Sequence, residues 1–221
     1  ARRYGPPIKG TKPVSKSGGV MRKTIDYFFS PASGFTYLGH QALMALAAEV
    51  GAMVRFHPMD IRKVYAEMGT THPLEQCEAR QSYRIEDQRR WARLRGLRMT
   101  PNPAHHPVDV RLPCRVILAT GRLGLDQDAV TLACLRGVWA EGRNISDPGD
   151  LGEALRQIDL PAYDILHEAE AEDVRDEADA VTQSAIEAEI FGSPTYVVDG
   201  ERFWGQDRIE FMREKLLRAA A

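Results

Sequence analysis

Phe191-Gly192-Ser193-Pro194-Thr195-Tyr196-Val197-Val198-Asp199-Gly200-Glu201-Arg202-Phe203-Trp204 is the stretch whose reading decides the fold. Thr195–Val198 is β-branched and aromatic and reads as a strand, Asp199-Gly200 is a strong two-residue hairpin turn, and Glu201–Trp204 pairs back. A proline directly ahead of a central strand is restricted in where it can sit. A cis Ser193-Pro194 bond would account for it and leave the backbone N–H and C=O of Ser193 free to pair with an extended peptide. The commoner case is a trans proline that opens a strand. After the hairpin, Trp204-Gly205-Gln206-Asp207-Arg208 leads into a last amphipathic helix. Asp207 is its expected cap, and Ile209, Phe211, Met212, Leu216 and Leu217 are its expected buried face.

The other end of the chain supplies the partner unit. Thr24–Phe29 reads as a strand, Ser30-Pro31-Ala32-Ser33-Gly34 as a turn, and Phe35–Val50 as a helix with apolar residues at helical spacing, stopped by Gly51. Ala52–His57 is a second strand, ended by Pro58. A strand-helix-strand unit places its two strands parallel. From about Ile61 to Ile190 the pattern is mainly helical, with expected helices over 75–94, 112–120, 126–141 and 150–157, broken at Pro101, Pro103, Pro107 and Asp147-Pro148. Glu168–Asp179 carries seven acids and one arginine, which suits a solvated helix face. The order β-α-β, long helical stretch, β-β-α predicts an α/β fold: one four-stranded mixed sheet from the two ends (22–60 and 191–221), with 61–190 as a helical insertion.

Composition narrows the functional classes. A formal net charge of −2 over 221 residues gives no reason to expect a nucleic-acid partner. Five basic residues and no acid lie in positions 1–20, among Gly, Pro and Ser, so 1–21 reads as a disordered basic tail. It lacks the apolar centre of a secretory signal, and no stretch approaches membrane-span length, so a cytoplasmic protein is expected. Cys77, Cys114 and Cys134 are widely spaced and odd in number, which suits reduced, mostly buried thiols and neither a disulfide framework nor a zinc site.

Three places could carry chemistry. Ser33-Gly34-Phe35-Thr36 stands where a helix N-terminus presents unpaired amides and a partial positive charge, so an anion such as a thiolate is stabilised there. A hydrogen bond to a charged group contributes about 1.5–3 kcal/mol, enough to lower a bound thiol's pKa by roughly one to two units. In the ordinary case such a serine only caps its helix. Ser193-Pro194 could pair with a peptide backbone. At Trp204–Arg208 the amides could hold a carboxylate and Asp207 an amine, the two groups of a γ-glutamyl end; the plainer role for Asp207 is a cap. Among the weaker patterns, His105-His106 reads as a loop, Trp91 and Trp139 as core, and Phe56 and His57 as strand-end residues near the pocket.

Taken together these segments resemble the kappa-class glutathione transferases and 2-hydroxychromene-2-carboxylate isomerases of the DsbA-like thioredoxin superfamily. Ser33-Gly34-Phe35-Thr36-Tyr37-Leu38 is similar to their S-P-[YF]-[SA]-[YW]-L, Phe191–Gly200 to F-G-V-P-T-F-V-V-D-G, and Phe203–Arg208 to the isomerase ending F-W-G-Q-D-R. Tyr83, Asp87, Arg90 and Trp91 resemble the helical insertion. The likeness runs from about Thr24 to Leu217.

The resemblance implies a thioredoxin-like domain with a large helical insertion, and a glutathione-dependent isomerase of 2-hydroxychromene-2-carboxylate or a similar aromatic-degradation intermediate. It implies that Ser33 is catalytic, replacing the first redox cysteine, with Thr36 in place of the second, so disulfide exchange is disfavoured. Glutathione is the implied cofactor, held by Ser193, Pro194, Gln206 and Asp207. Phe35, Thr36, Tyr37, Thr70 and Trp204 are the implied substrate pocket for a small aromatic molecule. Many relatives are dimers, so a homodimer enters by analogy. Two departures stand out. Gly34 replaces the family proline; the alternative of starting the motif at Ser30-Pro31 leaves two extra residues before Tyr37. Ala66 and Thr70 replace a lysine and an asparagine that help line the pocket. The alternatives are a kappa-like transferase releasing stable conjugates, or a non-catalytic thioredoxin-like module binding peptides or thiols.

Overall fold

The computed structural model describes residues 23–218, so the expected basic tail lies outside the described residues. Four strands, β1 (Thr24–Phe29), β2 (Met53–Pro58), β3 (Thr195–Val198) and β4 (Glu201–Trp204), form one sheet in the order β2-β1-β3-β4. β1 and β2 are parallel; β3 runs antiparallel to both β1 and β4. Nine α-helices are found among the described residues. α1 (Gly34–Val50) is the crossover between β1 and β2, and α9 (Ile209–Arg218) closes the chain. Between the sheet halves lie α2 (Ile61–Met68), α3 (Glu78–Leu94), α4 (Arg111–Arg122), α5 (Gln127–Arg136), α6 (Pro148–Arg156), α7 (Ala162–Glu168) and α8 (Glu172–Glu187). None of the helices is long and apolar enough to cross a membrane.

Strand alternation sorts the core into two layers. Ile25, Tyr27 and Phe29 point to one face with Tyr196 and Val198, where they join the main core under α1, α9 and the helical stretch. Tyr27 and Tyr196 are register partners across β1 and β3 and their rings stack at 5.5 Å, a pairing that strengthens a sheet beyond the area it buries. Phe28 and Val197 point to the other face and pack with Val64 of α2 and Ala185 of α8. The stretch 61–190 therefore supplies one covering layer of the sheet as well as the separate helical lobe. His40, fully buried on α1, docks that lobe: its Nε2 lies 2.7 Å from Asp128 of α5. Arg95, just past α3, ties the lobe to the C-terminal turn by donating to the carbonyls of Leu38 and Gln206.

Several boundaries differ from the sequence reading. Residues 126–141 are not one helix: α5 ends at Arg136 and a π-helical turn, Gly137–Glu141, follows. Residues 75–94 break at Gln76-Cys77, before α3. Glu168–Asp179 spans the end of α7 and the start of α8, and its acids form ion pairs with Arg115, Arg122, Arg175 and Lys63. Asp207 is not a helix cap. Gly205 occupies that position at φ 103°, Asp207 sits inside a 3-10 turn (Gln206–Arg208), and α9 starts only at Ile209. That start leaves Ile209, Met212 and Leu216 buried, while Phe211 and Leu217 are exposed. Cys114 and Cys134 are buried thiols and Cys77 is exposed.

Candidate active site

Ser33 is the residue on which the site is built. It is in extended conformation, caps α1, and its Oγ accepts from the Thr36 amide at 3.3 Å. The same hydroxyl donates to the carbonyl of Ser193 at 3.3 Å. Ser193 precedes Pro194 through a cis bond, and its own Oγ accepts from the Ser30 amide at 2.8 Å and lies 2.9 Å from Thr36 Oγ1. The entrance of α1 and the loop before β3 thus meet in a cluster of four hydroxyl side chains, brought together by the antiparallel β1–β3 pair. A hydroxyl, the free amides of a helix N-terminus and a backbone carbonyl converge there, a setting that stabilises a bound anion. Ser30 belongs to the cluster, but it is 2% exposed and its Oγ only accepts from the Ala32 amide at 3.4 Å.

Two concavities open from this cluster. An inner cavity of about 320 Å³ runs between the α1 entrance, α2 and the loop before α4, past Ser33, Tyr65, His72, His106 and Val108. An outer groove of about 490 Å³ runs from Ser193 along α3 to the C-terminal turn, past Trp91, Trp204, Gln206 and Asp207. Tyr65, Pro73, Arg84 and Ser193 line both. Gly192 lies where a Cβ would come within 2.3 Å of the Trp204 indole nitrogen, so only glycine lets the indole wall stand there. Gln206 Oε1 is buried with no hydrogen-bond partner, an acceptor left open beside the groove.

A side chain at position 34 would crowd its neighbours. A Cβ on Gly34 would come within 2.5 Å of Gln88 Nε2 and 3.0 Å of Trp139. Trp139, whose indole donates to the Ala32 carbonyl at 3.1 Å, therefore braces the turn that a proline ring stiffens elsewhere.

The structure brings Ser33, Ser193, Gln206 and Asp207 to these concavities, along with Phe35, Thr70 and Trp204 of the expected pocket. Pro194 is buried beneath Ser193. Thr36 is fully buried and acts on Ser193 rather than lining either space. Tyr37 is not a pocket residue: it lies in the core and its hydroxyl donates to the Arg98 carbonyl at 2.9 Å, because the helical period turns it away from the entrance. Trp91 is not core; it walls the groove with the Arg95 guanidinium over its ring. His57 lines neither space and is held 2.7 Å from Asp26. Reading the sequence missed His72, Tyr65, Arg84 and His106. His106 follows Pro103 and precedes Pro107, and that proline-rich run was its only signal. Burial, then the charges of Arg84, His72 and Arg62, pushes its pKa down to about 4, so it faces the cavity as a neutral imidazole at pH 7.

The fold and this hydroxyl-lined, cysteine-free entrance define a thioredoxin-like protein without its own redox pair. Residues 24–217 match the DSBA-like thioredoxin domain, and the chain belongs to that family. Within it the chain is like the 2-hydroxychromene-2-carboxylate isomerases. It is 27% identical over 199 residues to the isomerase of Sphingobium xenophagum, covering 89% of this chain and 100% of that one. It is 28% identical to the isomerase of Pseudomonas putida, covering 87% and 93%. A solved 2-hydroxychromene-2-carboxylate isomerase superposes with a TM-score of 0.75 at 23% identity, over 89% of this chain and 96% of that one.

Proposed function

We propose that the protein is a glutathione-dependent isomerase acting on 2-hydroxychromene-2-carboxylate or a similar aromatic-degradation intermediate. The observation that carries this reading is the Ser33 hydroxyl at the α1 entrance, where a groove and a cavity meet and neither is lined by a cysteine. The residues present fit glutathione. Ser193 offers backbone groups to its cysteinyl unit. The open acceptor of Gln206 and the half-exposed carboxylate of Asp207 suit a γ-glutamyl amine, although Arg208 shares Asp207 at 2.6 Å. When bound, glutathione supplies a nucleophilic thiolate that can add to an unsaturated acid and later leave it.

The chain's own residues do the rest. Ser33's bond to the Ser193 carbonyl is long at 3.3 Å, so its proton is free to turn to a stronger, charged acceptor. The α1 amides add their partial positive charge to the same point. His106, neutral at pH 7, offers one donor and one acceptor to a substrate in the inner cavity. The cavity walls, Val108 and Val110 among them, exclude water from one side.

The test is a balance of products. With 2-hydroxychromene-2-carboxylate, the expected outcome is trans-o-hydroxybenzylidenepyruvate formed only when glutathione is present, with the thiol recovered unchanged. Stoichiometric loss of thiol into a conjugate would instead make the protein a kappa-like transferase, and absence of glutathione binding by calorimetry would make it a non-catalytic module.

A further inference from the structure

Arg84 is the least exposed of the four cations that line the inner cavity. It lies on α3, half-buried, at the border of the inner cavity and the outer groove. Its guanidinium sits over the Phe35 ring, 5.1 Å from the centroid. Among the described residues no carboxylate is within ion-pair distance of it: Asp87, the acid one turn along α3, faces Arg90 instead. Burial lowers its pKa from the ordinary guanidinium value, although arginine stays charged throughout the working range. A desolvated, unpaired charge is costly unless something completes it.

The rest of the cavity lining points the same way. Arg62, Lys63, Arg84 and Arg111 face it against Asp60 and Asp109. Lys63 is taken by Asp179 and Arg111 by Asp109, but Arg62, like Arg84, has no carboxylate partner among the described residues. His72 and His106 line the same cavity, and burial together with Arg62 and Arg84 lowers the pKa of both. Asp60 has no ion pair either among the described residues, so the lining keeps one positive charge in excess, and its least exposed cation, Arg84, sits beside the Ser193 loop.

We propose that Arg84 selects an acid as the second substrate, taking its carboxylate in a bidentate pair within the inner cavity. This rests on the function proposed above, and it adds the residue that decides which molecules that site accepts. A planar guanidinium fixed over Phe35 presents its N–H fork in one orientation, so it recognises a carboxylate and also sets which end of the molecule faces Ser33. Neutral enones of the same shape would fill the cavity and leave the charge unpaired.

The probes are trans-o-hydroxybenzylidenepyruvate and trans-o-hydroxybenzylideneacetone, which share a skeleton and differ in having a carboxylate or a methyl group. Calorimetry on the full chain with each probe, and separately with glutathione, is run on the parent, Arg84→Met and Arg84→Lys. The parent is expected to prefer the acid by about tenfold or more. Arg84→Met should bind both probes alike, Arg84→Lys should fall between, and glutathione affinity should stay within about twofold. Should the methionine variant fail to fold, the lysine variant, which keeps the charge and loses the fork, still reads the preference. Retained acid preference in the variants overturns the inference. So does a loss confined to glutathione affinity, which would give Arg84 to the tripeptide's carboxylate. A parent that binds the acid in this way but never binds glutathione sinks the proposed function and leaves the role of Arg84 standing.

Discussion

Replacing Ser33 with alanine removes two contacts of different kinds, and they can be measured separately. The first is the cap on α1, with Oγ accepting from the Thr36 amide at 3.3 Å. That is a long bond, so its loss belongs at the lower end of the usual range for caps, about 0.5–1 kcal/mol. For a chain of this size that lowers the melting temperature by about 1–4 °C. The second is the hydroxyl proton now shared with the Ser193 carbonyl. Offered to a bound thiolate, it contributes about 1.5–3 kcal/mol, so its removal should raise the bound thiol's pKa by about one to two units. At neutral pH the thiolate fraction and kcat/KM should both fall about eight- to twenty-five-fold, because a bound thiol held at about 6.5–7.5 returns to about 8.5 and protonation removes the nucleophile. Ultraviolet titration of the enzyme–glutathione complex reads the pKa directly, and the pH profile of kcat/KM reads the same group in turnover. Ser30→Ala is the control, since its hydroxyl is buried and only accepts from Ala32. An unchanged thiol titration in Ser33→Ala, or an equal shift in Ser30→Ala, would refute the reasoning.

Other expected outcomes follow from packing and charge. Gly192→Ala must displace the rigid Trp204 indole, which a Cβ would meet at 2.3 Å, so tryptophan fluorescence should shift and glutathione affinity should fall about tenfold or more. Gly34→Pro, although it restores the family residue, should lower stability by about 1–3 kcal/mol in urea unfolding, because its Cβ would press on the Trp139 ring at 3.0 Å and push the Gln88 amide aside. His106 has a folded pKa of about 4, below its ordinary value of 6.5, so the unfolded chain binds the proton first as pH falls. Its contribution to stability is present above pH 6.5 and is lost as pH falls towards 4; His106→Gln should therefore show a shallower loss of stability across that window in parallel unfolding series.

The parts of the molecule that were legible in the sequence are those set by local chemistry. The Asp199-Gly200 hairpin, the Gly51 helix stop at φ 65° and the parallel pairing of β1 and β2 depend on residues close in sequence. The errors arose where a neighbour decided the outcome. Gly205 turned the chain at φ 103°, so α9 began two residues after Asp207, and its helical phase put Phe211 and Leu217 outside. The apolar residues of 126–141 continue past Arg136 through Val138, Trp139 and Ala140, which does not reveal the π-helical turn at its end. The site divides in the same way. Ser33, Ser193, Gln206 and Asp207 were visible because they lie in continuous motifs. Arg84 and His106 were not, because they reach the cavity from α3 and from the loop before α4, and a long-range meeting leaves no periodic trace.

The most direct test is a crystal of this chain grown with glutathione. The sulfur should rest within hydrogen-bond reach of Ser33 Oγ, with the cysteinyl backbone along Ser193 and the γ-glutamyl end beside Gln206 and Asp207. A sulfur seated away from Ser33, or a tripeptide bound outside the groove, would contradict the account.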